Sequence, residues 1–159
     1  MGKEIKTNVM RILDKAKIKY KYYDYSKTGL TNGNEIADFL EEDPNKVFKT
    51  LVTQGSKTKE IYVFMVPVNK ELNLKRAASA VGEKSVQMIP QKDLLKTTGY
   101  VHGGCSPIGM KKQYKTTVHL TALNFDTIIF SAGKVGYQVE ISYKDLLKVF
   151  PVNSAAIVE

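Results

Sequence analysis

The segment GYVHGGCSPIGMKK, residues 99–112, holds the side chains of this sequence that are best suited to chemistry. It contains four glycines, the chain's only cysteine and one of its two histidines. Cys105 and His102 could act as a nucleophile and its base. A separation of three residues is a weak indication, however, because catalytic partners usually meet through the fold and a free cysteine is most often a small buried hydrophobe.

The backbone of the same segment is a stronger candidate than its side chains. Glycines such as Gly103 and Gly104 permit a positive φ and a close approach, so that successive N–H groups can converge on a phosphate or a developing oxyanion. Pro107 would stiffen one side of this arrangement. The alternative is a turn without a ligand, since the segment matches neither the P-loop nor the dinucleotide-binding pattern.

Lys49 is a second candidate because it stands where the turn sequence DPNKVF passes into the apolar sequence TLV. In a cavity, its ammonium group would attract an anion strongly, since the local dielectric is low. The alternative is that the side chain extends into water along its apolar stem.

Metal chemistry is not predicted, because one cysteine and two histidines are too few for a zinc site. His119, in the sequence TTVHL, is expected to be structural or exposed. Glu41, Glu42 and Asp43 form a charge run at a helix end, which is usually solvated. We therefore predict no metal and no cofactor.

The elements that must position these residues follow from the hydrophobic periodicity and the turn residues. Asn73 and Ser142 are predicted to cap helices that Gly82 and Pro151 end. The predicted helices cover residues 3–17, 35–42, 73–82, 90–99 and 142–150, with a short turn at 43–44. The predicted strands lie in residues 18–25, a hairpin at 49–68, and residues 84–89, 116–120, 127–133 and 136–141. Strands grouped between helices favour one α+β domain over residues 1–159 with a mixed, barrel-like sheet.

Composition narrows the class of partner and the compartment. The chain of 159 residues has a formal net charge of +8, which favours anionic partners, nucleic acid first. The alternative is a soluble lysine-rich protein without such a partner. No segment approaches the roughly 18 apolar residues of a membrane span and the N-terminal sequence lacks a signal peptide's apolar region, so we expect a cytoplasmic protein.

Three sequences together resemble the YbaK/EbsC family of aminoacyl-tRNA editing domains. They are VFKTL at 47–51, TTGYVHGGCSPIGMKK at 97–112 and SAGKVG at 131–136. Their order and spacing fit over essentially the whole chain. Within the family the chain is most similar to free-standing deacylases that clear cysteine mischarged onto proline tRNA, and it is related to the editing domain of bacterial prolyl-tRNA synthetases.

The resemblance implies a mixed α/β fold and hydrolytic removal of a wrong amino acid from the 3′ end of a tRNA. Lys49 matches the family's essential lysine, Thr50 is its neighbour in the site, and Gly103 begins the loop that holds the aminoacyl ester. Lys49, Gly103 and Gly104 are the positions expected to be catalytic, and the other positions that match the substrate site are Tyr25, Cys105, Ser106, Pro107, Ser131 and Gly133. Two positions depart from the pattern: Gln138 replaces an acidic residue, which leaves strict cysteine specificity open, and Cys105 replaces a commonly aliphatic one.

Such a site needs no protein nucleophile, because an aminoacyl ester is already activated and the enzyme has chiefly to orient the attack and stabilise charge. We expect N–H groups of residues 103–106 to bind the carbonyl oxygen or the terminal adenosine's phosphate, while Lys49 supplies positive charge. For a cysteinyl substrate, the resemblance implies that the substrate's own thiol attacks its ester carbonyl and expels the tRNA.

The predicted partner is the aminoacylated 3′ end of a tRNA. Four lysines near the site segments could bind the acceptor stem: Lys111, Lys112, Lys115 and Lys134. The family also suggests that a prolyl- or cysteinyl-tRNA synthetase assists tRNA recognition. Two other functions stay open at this point, a non-catalytic RNA-binding module of the same fold and a thiol-dependent hydrolase that uses Cys105 with His102.

Overall fold

The computed structural model describes residues 5–159, in which helices and strands are interleaved. The α-helices are α1 Asn8–Lys15, α2 Gly33–Phe39, α3 Leu74–Val81, α4 Leu94–Thr98 and α5 Tyr143–Val149. The strands are β1 Lys21–Asp24, β2 Phe48–Gly55, β3 Ile61–Pro67, β4 Val86–Met88, β5 Lys115–His119, β6 Ile128–Ser131, β7 Tyr137–Ile141 and β8 Val152–Ala155. Short 3₁₀ helices lie at Ser26–Thr28, Pro44–Lys46, Gln91–Asp93 and Leu120–Asn124.

The helix ends follow the capping residues. The Asn73 side chain accepts a hydrogen bond from the Arg76 N–H at the start of α3, and Gly82 ends that helix at φ +76°. Ser142 accepts in the same way from the Asp145 N–H (3.1 Å) at the start of α5. These predictions are confirmed.

The first helix is shorter than predicted. Thr7 caps it by accepting from the Met10 N–H, so α1 begins at Asn8 instead of residue 3. Residues 3 and 4 of the predicted helix lie outside the described residues.

The strands form two sheets, and the α+β prediction with mixed strand directions is confirmed. One sheet has the order β1-β7-β6 and is antiparallel. The other has the order β4-β2-β3-β5-β8, in which β3, β5 and β8 run parallel. A parallel bridge between Val47 and Ile129 joins the two sheets. Within residues 5–159 both sheets are open, so the barrel-like sheet that we expected is divided in two.

The main core lies where α1 and α5 cover the strands. Leu13, Ile128, Phe130 and Leu146 are completely buried there, and Phe48 from β2 packs against the same cluster. Burying a large apolar side chain contributes roughly 1.5–3 kcal/mol, so this cluster fixes how β2, β6 and β7 are placed relative to one another.

Two strand predictions were incomplete. The predicted strand at 18–25 is limited to β1, in which Tyr22 is 43% exposed and Tyr23, on the opposite face, is half-buried. The strand β8 was missed, since its sequence VNSA lacks the apolar alternation of a strand and forms one by pairing with β5. His119, at the end of β5, is buried and its Nδ1 accepts from the Ile157 N–H (3.2 Å), which is a structural role.

A buried carboxylate anchors the turn of the β2–β3 hairpin to the end of α3. Glu83 accepts hydrogen bonds from the hydroxyls of Thr58 and Tyr62 and from the Lys57 N–H (3.1 Å). These donors, the Thr58 hydroxyl first, lower the pKa of Glu83 to about 2. The carboxylate is therefore ionised at neutral pH although its residue is buried.

Among residues 5–159, no helix has both the length and the apolar character that crossing a membrane requires.

Candidate active site

A cavity of about 490 Å³ opens between the two sheets, beside the segment 99–112. Its walls come from five consecutive residues of β2, the start of α2, the end of β6, the beginning of β7, and the loop before β5. The predicted site residues that line it are Tyr25, Lys49, Thr50, Gly103, Cys105 and Ser131. The fold thus brings together positions that are more than 100 residues apart in the sequence.

The contribution of β2 is unusual, because residues 48–52 all line the cavity although successive side chains of a strand point to opposite faces. The neighbouring strand β4 pairs only with residues 53–55 of β2. The Ile89 N–H donates to the Val52 carbonyl (3.1 Å), and before that residue the edge of β2 is open. By the alternation of an antiparallel ladder, the backbone of Thr50 also faces this open edge.

Lys49 reaches the cavity from this strand. Its side chain is 31% exposed, and Nζ lies 3.8 Å from Oε1 of Glu71, whose side chain is 91% exposed. An ion pair with so exposed a partner is worth at most about 1 kcal/mol. Glu71 lines the same cavity, but its exposed carboxylate neutralises the ammonium group only in part, so Lys49 can still attract an anionic or developing negative charge there.

The loop opposite β2 is held by hydrogen bonds to its own backbone. Tyr100 donates its hydroxyl to the Ile108 carbonyl (2.5 Å), and Thr98 accepts from the Tyr100 N–H (3.0 Å). Gly103 has φ +87°, a conformation that glycine adopts without strain. This glycine turns the chain so that residue 103 lines the cavity and residue 104 is buried behind it.

The N–H groups of this loop differ in their availability. The Gly104 N–H donates to the Val101 carbonyl (3.0 Å) and is thereby engaged. Those of Gly103, Cys105 and Ser106 have no acceptor among residues 5–159. Of these residues, Gly103 and Cys105 line the cavity, so their N–H groups are the candidate main-chain donors to a ligand.

The other predicted loop and turn positions lie behind the cavity wall. Ser106 is fully buried, and its hydroxyl accepts from the Ile108 N–H (3.3 Å). Pro107 is also buried. Gly133 has φ +88°, and its N–H donates to the Ser131 hydroxyl (3.1 Å). A β-carbon at position 133 would lie 3.0 Å from the Tyr100 ring, so glycine allows the turn to pack against the loop.

Gln138, which the sequence marked as a departure from the family pattern, also lines the cavity. It lies in β7 opposite Ser131 of β6, and its Nε2 donates to the Tyr25 hydroxyl (3.2 Å). Its Oε1 and the Thr50 hydroxyl are buried and have no hydrogen-bond partner in residues 5–159. Burial raises the pKa of Tyr25, so this hydroxyl stays protonated. The pairing of the predicted β6–β7 hairpin would have indicated that residue 138 faces the site.

Cys105 is poorly suited to act as a nucleophile. Burial raises the pKa of its thiol to about 11, an effect that a hydrogen bond with Thr98 only partly offsets. A thiolate is the reactive form, and at neutral pH almost none is present. His102 also lines the cavity, but it is exposed on the loop.

The four predicted tRNA-binding lysines are all exposed. Lys134 lies over the Tyr137 ring at 5.5 Å, beside the turn that contacts Gly104. Lys111 donates to the Lys96 carbonyl (3.3 Å), which holds it against α4. Lys112 follows it in the loop, and Lys115 begins β5. In the described part of the chain, no three His, Cys, Asp or Glu side chains form a group that could hold a metal ion.

The sequence pattern of the aminoacyl-tRNA editing domain matches residues 30–149. The chain belongs to this family. EbsC of Enterococcus faecalis, to which Cys-tRNA(Pro)/Cys-tRNA(Cys) deacylase activity is ascribed, is 43% identical over 91% of this chain and 88% of its own length. The predicted membership of the YbaK/EbsC family is thereby confirmed.

More distant proteins share parts of the sequence or the fold. The proline–tRNA ligase of Kosmotoga olearia is 26% identical over 69% of this chain, which corresponds to 18% of the ligase. A solved structure described as a trans-editing enzyme for prolyl-tRNA synthetase superposes with a TM-score of 0.81 at 20% identity, covering 96% of this chain and 98% of its own. This second likeness shows that the fold is shared.

Proposed function

We propose that this editing domain is an aminoacyl-tRNA deacylase that acts in trans on mischarged tRNA, with Cys-tRNA(Pro) as the principal substrate. The observation that carries the proposal is that Lys49, Gly103 and Cys105 line one cavity, where the N–H groups of the two loop residues have no acceptor among residues 5–159. The activity ascribed to EbsC, at 43% identity, gives the class of substrate.

The cavity has the donors that deacylation needs. Attack on an ester places negative charge on the carbonyl oxygen, and main-chain N–H groups with a nearby cation stabilise that charge. Gly103 and Cys105 offer the N–H groups, and Lys49 offers the cation. An aminoacyl ester is activated enough for this stabilisation and a correct orientation to carry most of the catalysis.

The attacking group in our proposal is the thiol of the substrate. The cysteine sulfur bonds to the ester carbonyl carbon, the bond to the ribose oxygen breaks, and the thiol proton ends on that oxygen. The products are a cyclic thiolactone and a tRNA with a free 3′ end. The Cys105 thiol takes no part, because its raised pKa keeps it protonated.

Discrimination between amino acids would depend on the size of the cavity. Ligand pockets usually measure about 300–1,000 Å³, and 490 Å³ accommodates a small amino acid with part of the terminal adenosine. A difference of one methylene is worth only about 1–3 kcal/mol in such a pocket. A partner such as prolyl- or cysteinyl-tRNA synthetase would therefore add the tRNA specificity that this cavity lacks.

The test is a deacylation assay with cysteinyl-, alanyl- and seryl-tRNA(Pro) side by side. We expect rapid release of cysteine, with the other two esters cleaved at least tenfold more slowly. The control is S-methylcysteinyl-tRNA(Pro), which cannot form a thiolactone and should be stable. Release of none of the three amino acids would refute the proposal and leave the non-catalytic RNA-binding function in its place.

A further inference from the structure

Two oxygen atoms in the wall of the cavity require a partner that the chain does not supply. Gln138 Oε1 and the Thr50 hydroxyl are both buried, and neither has a hydrogen-bond partner in the described part of the protein. Buried polar atoms are nearly always paired, because an unpaired one forfeits its hydration without compensation. The hydroxyls of Thr117 and Thr121 are unpaired in the same way but lie outside this cavity, so only at Thr50 and Gln138 would a cavity ligand or an ordered water supply the missing partner.

The orientation of Gln138 is fixed from two sides. Its strand lies between β1 and β6 in the three-stranded sheet, with Tyr23 and Ser131 as its cross-strand neighbours. Its Nε2 donates to the buried Tyr25 hydroxyl at 3.2 Å. Because the amide nitrogen is engaged, the amide oxygen is the atom left for a cavity ligand. An acceptor held in this way loses little freedom when it binds a donor.

The chemistry of an aminoacyl ester identifies the donor. Its carbonyl and phosphate oxygens are acceptors, which suit Lys49 and the N–H groups of Gly103 and Cys105. Its amino-acid part carries one strong donor, the α-ammonium group. In a partly enclosed cavity this cation needs oxygen acceptors, and hydrogen bonds from charged donors are the stronger ones.

We propose that Gln138 is a specificity-determining residue whose Oε1 accepts a hydrogen bond from the α-ammonium group of the bound aminoacyl ester. Thr50 supplies a second acceptor. This inference rests on the proposed function and assigns a part of the same cavity to a free amino group. The consequence is that N-blocked esters, such as peptidyl- or formylaminoacyl-tRNA, are rejected.

The test compares two stable RNA ligands that differ only in the amino group. Both are acceptor-stem hairpins ending in CCA, and their terminal adenosine carries either L-alanine or propanoic acid through a 3′-amide. Dissociation constants are measured by calorimetry for the wild type, Gln138→Leu and Gln138→Glu. Gln87→Leu is the matched control, because Gln87 is exposed in β4 and lies outside the cavity.

We expect the wild type and the control to bind the alanyl ligand at least tenfold more tightly than the propanoyl ligand. Gln138→Leu should reduce that ratio to below threefold, whereas Gln138→Glu, which retains acceptors, should keep it. A wild-type ratio near one would mean that water alone occupies the position, and it would overturn the inference. A Gln138→Leu protein that folds and keeps the wild-type ratio would also overturn the inference. If Gln138→Leu does not fold, loss of the ratio in Gln138→Glu would overturn it instead.

The two proposals can fail separately. Binding of an amide needs no ester cleavage, so a wild type that discriminates between the ligands but releases no amino acid from Cys-tRNA(Pro) would refute the deacylase function alone. Deacylation that is lowered equally for cysteinyl- and 3-mercaptopropanoyl-tRNA(Pro) in Gln138→Leu would refute the ammonium contact alone.

Discussion

Gly104 lies so close to Val135 that a β-carbon at position 104 would stand 3.0 Å from the Val135 backbone nitrogen. The loop that supplies Gly103 and the turn after β6 are therefore packed backbone against backbone. The position of the turn therefore determines the position of the loop, and with it the position of the loop's main-chain N–H groups.

Gly104→Ala should damage activity more than stability. The added methyl group must push the turn or the loop aside, and a displacement near the chemistry can cost up to about a hundredfold in rate. We expect kcat/KM for Cys-tRNA(Pro) to fall at least tenfold. Gly29→Ala is the control, because a β-carbon at Gly29 meets nothing within 4 Å, so that only the strain of its φ of +73° is added there. Equal effects of both variants on kcat/KM would contradict the coupling.

Lys49→Ala should lower deacylation by at least about a hundredfold, the usual cost of losing a group that stabilises an oxyanion. Its stability should change little, since the pair with Glu71 is exposed and worth at most about 1 kcal/mol. The measurements are kcat/KM and the thermal midpoint. Lys84→Ala, at an exposed position outside the cavity, is the matched control. Retention of activity in Lys49→Ala would exclude this lysine from the chemistry.

Cys105→Ala should retain activity to within about threefold. The thiol is buried and its raised pKa, about 11, leaves it protonated at neutral pH, so it offers no nucleophile. The lost sulfur should cost roughly 1–2 kcal/mol of stability through the space that it leaves. A rate constant and a denaturant titration measure the two effects. The thiol-dependent mechanism requires the opposite, an inactive but stable variant.

Glu83→Gln should reduce the dependence of stability on acid pH. The folded-state pKa of Glu83 is about 2, below its ordinary value of 4.5. Its ionised form therefore stabilises the protein above pH 4.5, and this contribution is lost as the pH falls toward 2. We expect the wild type to exceed the variant in stability at pH 7 and the difference to shrink by pH 2.5. Asp126→Asn, the same carboxylate-to-amide change at an exposed position, is the matched control.

The four exposed lysines should contribute to tRNA affinity, and this contribution should appear in the salt dependence of the binding constant. Each phosphate contact that is lost should reduce the slope of log K against log[salt] by about 0.7–0.9. Alanine variants of Lys111, Lys112, Lys115 and Lys134 are measured with uncharged tRNA between 50 and 200 mM salt, a range in which such contacts weaken strongly. Lys84→Ala again serves as control. If none of the four substitutions alters this slope, the acceptor stem binds at another surface.

Local sequence signals were sufficient for much of the fold. Asn73 and Ser142 form the caps that their residue types predict, and the hairpin of β2 and β3 was predicted from its two apolar runs. The strand β8 was not predictable in this way. Its sequence carries no strand pattern, and its conformation depends on pairing with β5, more than 30 residues earlier in the chain.

The sequence by itself determined the family, the α+β class and the identity of Lys49 and the glycine-rich loop as the candidate site. Those features reside in residue type and spacing, which local backbone preferences and short patterns express directly. Only the tertiary structure decided that the edge of β2 is open beside the cavity, that the Gly104 N–H is already engaged, and that Gln138 presents an unpaired oxygen. Each of these depends on which strands and loops meet, and long-range packing of the core, rather than any local pattern, settles that arrangement.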